Sequence, residues 1–185
     1  MTPTILRHVR ALGHSVFEKG RYNLNIIAVR SPDPISGAMD DALVVAYRDG
    51  GGAWICRWWP ATVDPMPGYL RQPIHQDGTA ILCPGQYRGA YELGLHRGRR
   101  ALVQVGPVRV WRDDDRDTVL DWHGDIAEGF FAINVHDRAG PMDTASAGCI
   151  VLDRAHLPAV LALAGRAVAE WGPRLTLTVV EQLVV

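Results

Sequence analysis

Residues 129–153 read GFFAINVHDRAGPMDTASAGCIVLD. An apolar, strand-like run from Gly129 carries His136 out at its end. A polar loop with Gly140 and Pro141 follows and closes on Ser146-Ala147-Gly148-Cys149. A second apolar run, Ile150 to Leu152, leads away. A histidine and a cysteine at the two mouths of one loop can meet in space. A cysteine attacks acyl groups only as the thiolate, and an imidazole can take its proton and later return it to a leaving amine. Cys149 and His136 are therefore the candidate nucleophile and base. Gly148 permits close backbone approach, and the N–H groups of Gly148 and Cys149 are candidates for an oxyanion hole. The competing reading is a buried structural cysteine beside a packed histidine.

Outward from this stretch the chain alternates. Upstream, Ala42–Arg48 and Ala53–Trp59 flank Asp49-Gly50-Gly51-Gly52, a strong hairpin pattern. Leu24–Val29, Thr79–Cys83, Ala90–His96 and Ala101–Trp111 read as further strands, and Gly129–His136 as a central one. Pro60–Gln76 holds four prolines and reads as an ordered irregular loop over one face. Apolar positions at helical spacing predict an amphipathic helix over residues 3 to 18, with Gly20 as its stop, and a second helix over 154–171, ended by Gly172-Pro173. Leu175, Leu177 and Val179 alternate in a last strand. The sum is a mostly β (α+β) domain spanning residues 1–185, a sandwich or barrel with a helix near each end.

Composition sets outer bounds. Of 185 residues, 48% are apolar and 21% charged, with a formal net charge of -1. These values suit a globular domain with its own core, and with no long basic cluster they give no expectation of nucleic-acid binding. No membrane-spanning run or secretory signal is read, so synthesis in the cytoplasm is expected. Three cysteines, Cys56, Cys83 and Cys149, are too few and too scattered for a disulfide framework.

The pattern of a strand ending in His136, a loop, then Ser146-Ala147-Gly148-Cys149 and an apolar residue resembles the L,D-transpeptidase (YkuD-like) catalytic domain. The hairpin at 42–59 resembles that family's opening strands. Leu82-Cys83-Pro84-Gly85-Gln86-Tyr87 resembles its Thr-Pro-x-Gly-x-aromatic segment beside the donor site. The resemblance covers roughly residues 40 to 155. The order His-then-Cys differs from NlpC/P60-type peptidases, and the short loop from caspase- and sortase-like folds. Two positions depart from the pattern: Asp137 stands where the family has Gly, and Val151 where it has Arg or Asn. Arg88, Arg97, Arg138 and Arg154 are candidates to supply the missing polar group. The segments Gln86–Tyr91 and Leu95–Gly98 look more like phage-encoded relatives than signal-bearing enzymes.

The resemblance implies acyl transfer on peptidoglycan stem peptides. Cys149 attacks the carbonyl of a meso-diaminopimelate residue, expelling the terminal D-alanine, and the thioester passes to an amine or to water. His136 serves as base and then acid, and Ser146, or its backbone carbonyl, orients the imidazole. No metal or organic cofactor is expected. Substrate contact is assigned to His96, Arg138, Tyr87 and Arg88, the last two being either a wall of the donor pocket or a turn. Expected alternatives are a lytic endopeptidase (endolysin or secreted effector) on the same scaffold, or a non-catalytic cell-wall or virion module. A monomer acting on the cell wall after lysis or dedicated secretion is expected.

Among other candidates, Asp113, Asp115, Asp117 and Asp121 have calcium-loop spacing. However, Thr118 and Gly124 stand where that loop has Gly and Glu, so the run reads as a solvated acidic turn. His75, His96 and His123 lack the spacing of a zinc site. Trp58 and Trp59 read as strand core rather than a sugar platform.

Overall fold

Asp49 closes the first hairpin. Its Oδ1 accepts the N–H groups of Gly51 and Ala53, both at 2.9 Å. That turn aligns strand β2 (Asp41–Arg48) with β3 (Trp54–Thr62), from Arg48 opposite Trp54 to Asp41 opposite Ala61. The computed structural model describes residues 1–181. In it β1 (Asn25–Arg30) pairs antiparallel with β2 and parallel with β11 (Leu175–Glu181). The ring continues through β5 (Gly85–His96), β6 (Arg99–Gln104), β9 (Val135–Asp137) and β10 (Ile150–Leu152), and returns to β3 as a closed barrel. A second sheet joins β4 (Thr79–Leu82), β7 (Val108–Asp113) and β8 (Ala127–Gly129). The mostly β, α+β reading of the sequence therefore holds.

Burial explains the layering. Every residue of β1 is buried, because the strand is covered on both faces. Ile26 and Ala28 join the main core with Leu43, Val135, Ile150 and Leu177. The helix α3 (Leu157–Trp171) adds Leu157, Val160, Leu161 and Ala164 to the same core. On the other face, Ile27 and Val29 pack with Leu6 and Val9 of α1 (Thr4–Ala11). Among the described residues no helix is long and apolar enough to cross a membrane, and all three cysteines are free thiols.

Of the element boundaries that differ from the sequence reading, such as β5 beginning at Gly85 rather than Ala90, four have a clear local reason. The first helix ends at Ala11, not near residue 18, because Gly13 turns to φ +81° and its N–H closes on Arg10 O. The expected irregular run after Pro60 is partly regular: β3 extends to Thr62, and Pro67 starts a short helix, α2 (Pro67–Arg71). The single strand expected over 101–111 is two strands in two sheets. Val105 and Gly106 both donate to Ala90 O, and Pro107 has no N–H to continue the ladder. The expected central strand 129–136 is also broken. Ala132 has φ +56°, and Phe131 and Ile133 donate their N–H groups to Gln104 Oε1 rather than to a neighbouring strand.

One buried ion pair ties the barrel to the second sheet. Arg30 is 1% exposed. Its Nε donates to Asp64 Oδ2 at 3.0 Å, and a terminal nitrogen donates to Leu82 O at 2.7 Å. A second guanidinium contact reaches Asp64 Oδ1 at 2.8 Å. Removing one member leaves the other charge buried and unpaired, so Arg30→Ala is expected to cost about 3–5 kcal/mol in urea unfolding. A loss below about 1 kcal/mol would show that the pair does not hold the two sheets together.

Candidate active site

Cys149 is brought to His136 by a parallel strand pair. Ile150 lies opposite Val135, Val151 opposite His136 and Leu152 opposite Asp137. Alternation puts Asn134 and His136 on one face, and Cys149 and Val151 on the same face of the next strand. The Asn134 N–H reaches Cys149 Sγ at 3.4 Å, and the thiol points to Ala132 O at 3.4 Å. Among the described residues no hydrogen bond joins Cys149 to His136. The nucleophile and base of the sequence reading thus share a face one diagonal step apart.

The imidazole of His136 is fixed from two sides. Its Nδ1 lies 2.9 Å from its neighbour's carbonyl, Asp137 O. Nδ1–H donated to that carbonyl leaves Nε2 as the basic nitrogen. The ring of His96 stacks on it at 4.5 Å between centroids and 17° between planes. His96 is itself held by Asn134, whose Nδ2 lies 2.9 Å from His96 Nδ1, and Asn134 Oδ1 accepts the Gln104 N–H at 2.9 Å. Burial, then the neighbouring His96, Arg97 and Arg99, push His136 down to about 4. Burial pushes the Cys149 thiol above its ordinary value, against the opposing pull of the Asn134 N–H and Arg97. At neutral pH the pair is therefore a neutral thiol and a neutral imidazole, not a preformed ion pair.

Ser146 has a different role from the one expected. Its Oγ donates to Cys149 O at 2.7 Å and accepts the Gly148 N–H at 3.0 Å, and its carbonyl accepts the Met66 N–H at 2.8 Å. It shapes the nucleophile turn, and the Asp137 carbonyl, not Ser146, orients the imidazole. The Gly148 N–H is therefore committed and is not an oxyanion donor. The Cys149 N–H has no partner among the described residues and keeps that capacity.

The thiol opens on a cleft of about 600 Å³. His96 and Arg97 line it from β5 and the turn after it, Thr79, Ala80 and Arg112 from the second sheet, and Phe131 from the broken strand. Three of the four expected substrate residues belong elsewhere. Tyr87 is buried in the main core, with its hydroxyl donating to Cys83 O at 2.6 Å and its pKa raised to about 12 by burial. Arg88 is exposed and does not line the cleft. Arg138 does not line it either and faces Asp153 at 3.7 Å. Among the arginines weighed against Val151, Arg154 pairs with Asp137, which also holds Arg99, and only Arg97 reaches the cleft. Val151 itself is fully buried against Met66 and Ala145.

Sequence reasoning does not find Asn134, Gln104 or Arg112. Asn134 carries a usable signal, a polar residue two before His136 inside an apolar run, hence on the same strand face. Compared with protein-family models, curated proteins and solved structures, the chain has no match.

Gly148 is the residue the turn tolerates least change in. It sits at φ +112°, and a Cβ there would lie 2.3 Å from the carbonyl oxygen of Ala80. Gly148→Ala is expected to destabilise by at least about 2 kcal/mol through backbone strain and overlap. The loss is read as a shifted denaturation midpoint. An unchanged midpoint would mean that the nucleophile turn is not seated on β4.

Proposed function

We propose that this chain is a cysteine acyltransferase acting on peptide substrates that carry free carboxylates, and that its substrates are peptidoglycan stem peptides. The observation that carries the reading is a thiol and an imidazole on one strand face, the thiol at a cleft lined by Arg97 and Arg112 with no carboxylate among its described lining residues, and His136 on the adjoining pocket, which shares His96 and Arg97 with that cleft. Cationic walls of that kind favour an anionic ligand. The peptidoglycan assignment rests on the resemblance of the His136 to Cys149 segment to L,D-transpeptidases, and the terminal carboxylate of a stem peptide suits the two guanidinium groups.

The chemistry follows from the resting protonation states. His136 Nε2 takes the thiol proton as sulfur bonds to the substrate carbonyl carbon. The Cys149 N–H faces the developing oxyanion. The C–N bond then breaks, and the imidazolium returns its proton to the departing amine of D-alanine. The thioester left on Cys149 passes to an amine or to water, with His136 again the base. Because the pair starts neutral, proton transfer accompanies attack; the Arg97 guanidinium eases loss of the thiol proton and keeps the resting imidazole neutral and able to accept it.

A non-catalytic cell-wall-binding role is the second reading, favoured by the missing hydrogen bond between Cys149 and His136 and by the thiol's contact with Ala132 O. One experiment separates the two. Purified sacculi are incubated with wild type and Cys149→Ala across pH, and muropeptides are followed by mass spectrometry. Turnover absent in Cys149→Ala is expected, with an acidic limb of kcat/KM near pH 4, because the base becomes protonated only as pH falls through His136's depressed value. New crosslinks indicate transfer to an amine, and trimmed or cleaved stems transfer to water. Binding without turnover by wild type, or equal turnover by Cys149→Ala, would contradict the proposal. An acidic limb near 6.5 would contradict the desolvated-base mechanism.

A further inference from the structure

The acidic turn after β7 is not a solvated run throughout. Asp113, at the end of β7, is 0% exposed. Its Oδ2 accepts the Asp121 N–H at 3.1 Å, and its Oδ1 is buried with no hydrogen-bond partner. One carboxylate oxygen each from Asp113, Asp115 and Asp121 come within 4.8 Å of one another. Among the described residues no arginine or lysine lies within ion-pair distance of any of the three. The only basic neighbour is the largely exposed His123, whose Nδ1 is 3.9 Å from Asp121 Oδ1. A buried carboxylate with a bare oxygen, facing two more carboxylates and no cation, is unfavourable on its own.

We propose that Asp113, Asp115 and Asp121 form a binding site for a divalent cation of the calcium class. The donors are all carboxylate oxygens, which select hard cations over zinc or copper. Asp113 supplies an oxygen from the protein side, and the exposed Asp115 leaves room for water to complete a shell. Calcium accepts such an irregular mixed shell, whereas magnesium demands near-ideal octahedral geometry. The fourth acid of the sequence pattern, Asp117, does not bring its carboxylate within reach of the other three; its Oδ1 accepts the Val119 N–H at 2.6 Å, and its own N–H is donated to Asp115 Oδ1 at 3.0 Å, which leaves Asp115 its second oxygen.

The site has a consequence for the second sheet. Asp113 lies opposite Thr79 in the β4–β7 ladder, and its neighbour Arg112 lines the Cys149 cleft. A cation there would pin the end of β7 to the returning chain at Asp121 and hold the edge on which the nucleophile turn rests.

The test is calcium titration of the metal-stripped protein, with thermal unfolding and terbium emission sensitised by Trp122 as readouts. Magnesium and zinc are run in parallel. Calcium is expected to bind with Kd on the order of 10⁻⁴ M. At a hundredfold excess over Kd the thermal midpoint should rise by about 5–10 °C. Asp113→Asn should weaken binding at least tenfold and remove the shift. Asp115→Asn, at an exposed position, should do the same and carries the test if Asp113→Asn fails to fold. No calcium-dependent shift in wild type, an undiminished shift in the variants, or tighter binding of zinc than calcium would overturn the proposal.

Discussion

Two strands of three residues, Val135–Asp137 and Ile150–Leu152, lie parallel and side by side. A parallel pair cannot be joined by a tight hairpin; the chain must cross over, and residues 138–149 make that crossing. The requirement has a chemical consequence. It places the residue just before the second strand beside the residues of the first, on one shared face. Cys149 and His136 come to one strand face because of strand direction, not because the loop folds one back onto the other. Short strands of this kind have few ladder bonds of their own, so the pairing relies on its neighbours. Val135 faces Leu102 across β6, and Leu152 faces Ala61 across β3.

The second sheet supplies the opposing wall. The carbonyl of Ala80 fills the space where a side chain at position 148 would stand, so the nucleophile turn and β4 are fitted together at the level of backbone. Arg30 crosses from the barrel to Asp64 and Leu82 and holds that sheet in place. Gln104 works from the other side. Its side chain accepts two N–H groups of the segment Phe131–Ile133 and donates to the carbonyls of Gly106 and Gly129. That grip accounts for the interrupted strand and for Ala132 at positive φ, which brings its carbonyl to the thiol. The cleft is thus built from backbone turned inward by one glutamine.

Local pattern makes the large features legible. Alternating apolar runs reveal the strands, and Asp49 followed by glycines reveals the first hairpin. A histidine and a cysteine at the two ends of one loop point to the candidate site by residue chemistry alone. What stays hidden depends on contacts distant in sequence. Nothing near Gln104 signals that it will stop a strand some thirty residues later, and Gly106-Pro107 is too brief an interruption to divide one apolar run between two sheets. Tyr87 reads as a pocket wall because aromatic residues beside glycine suit either role. Its burial is decided by Cys83 and Arg109, whose carbonyls its hydroxyl serves. Resemblance assigns Ser146 to the imidazole, yet the local geometry of a Ser-x-Gly-Cys turn directs its hydroxyl back to its own loop.

The central claim is that Cys149 carries the acyl group. It is tested most directly by quenching a reaction with a disaccharide-tetrapeptide in acid and mapping the modified peptide by mass spectrometry. The account predicts an adduct on Cys149 equal to the substrate less its terminal D-alanine, with Cys56 and Cys83 unmodified. Turnover that proceeds with no adduct on Cys149, or with the adduct on another cysteine, would contradict it.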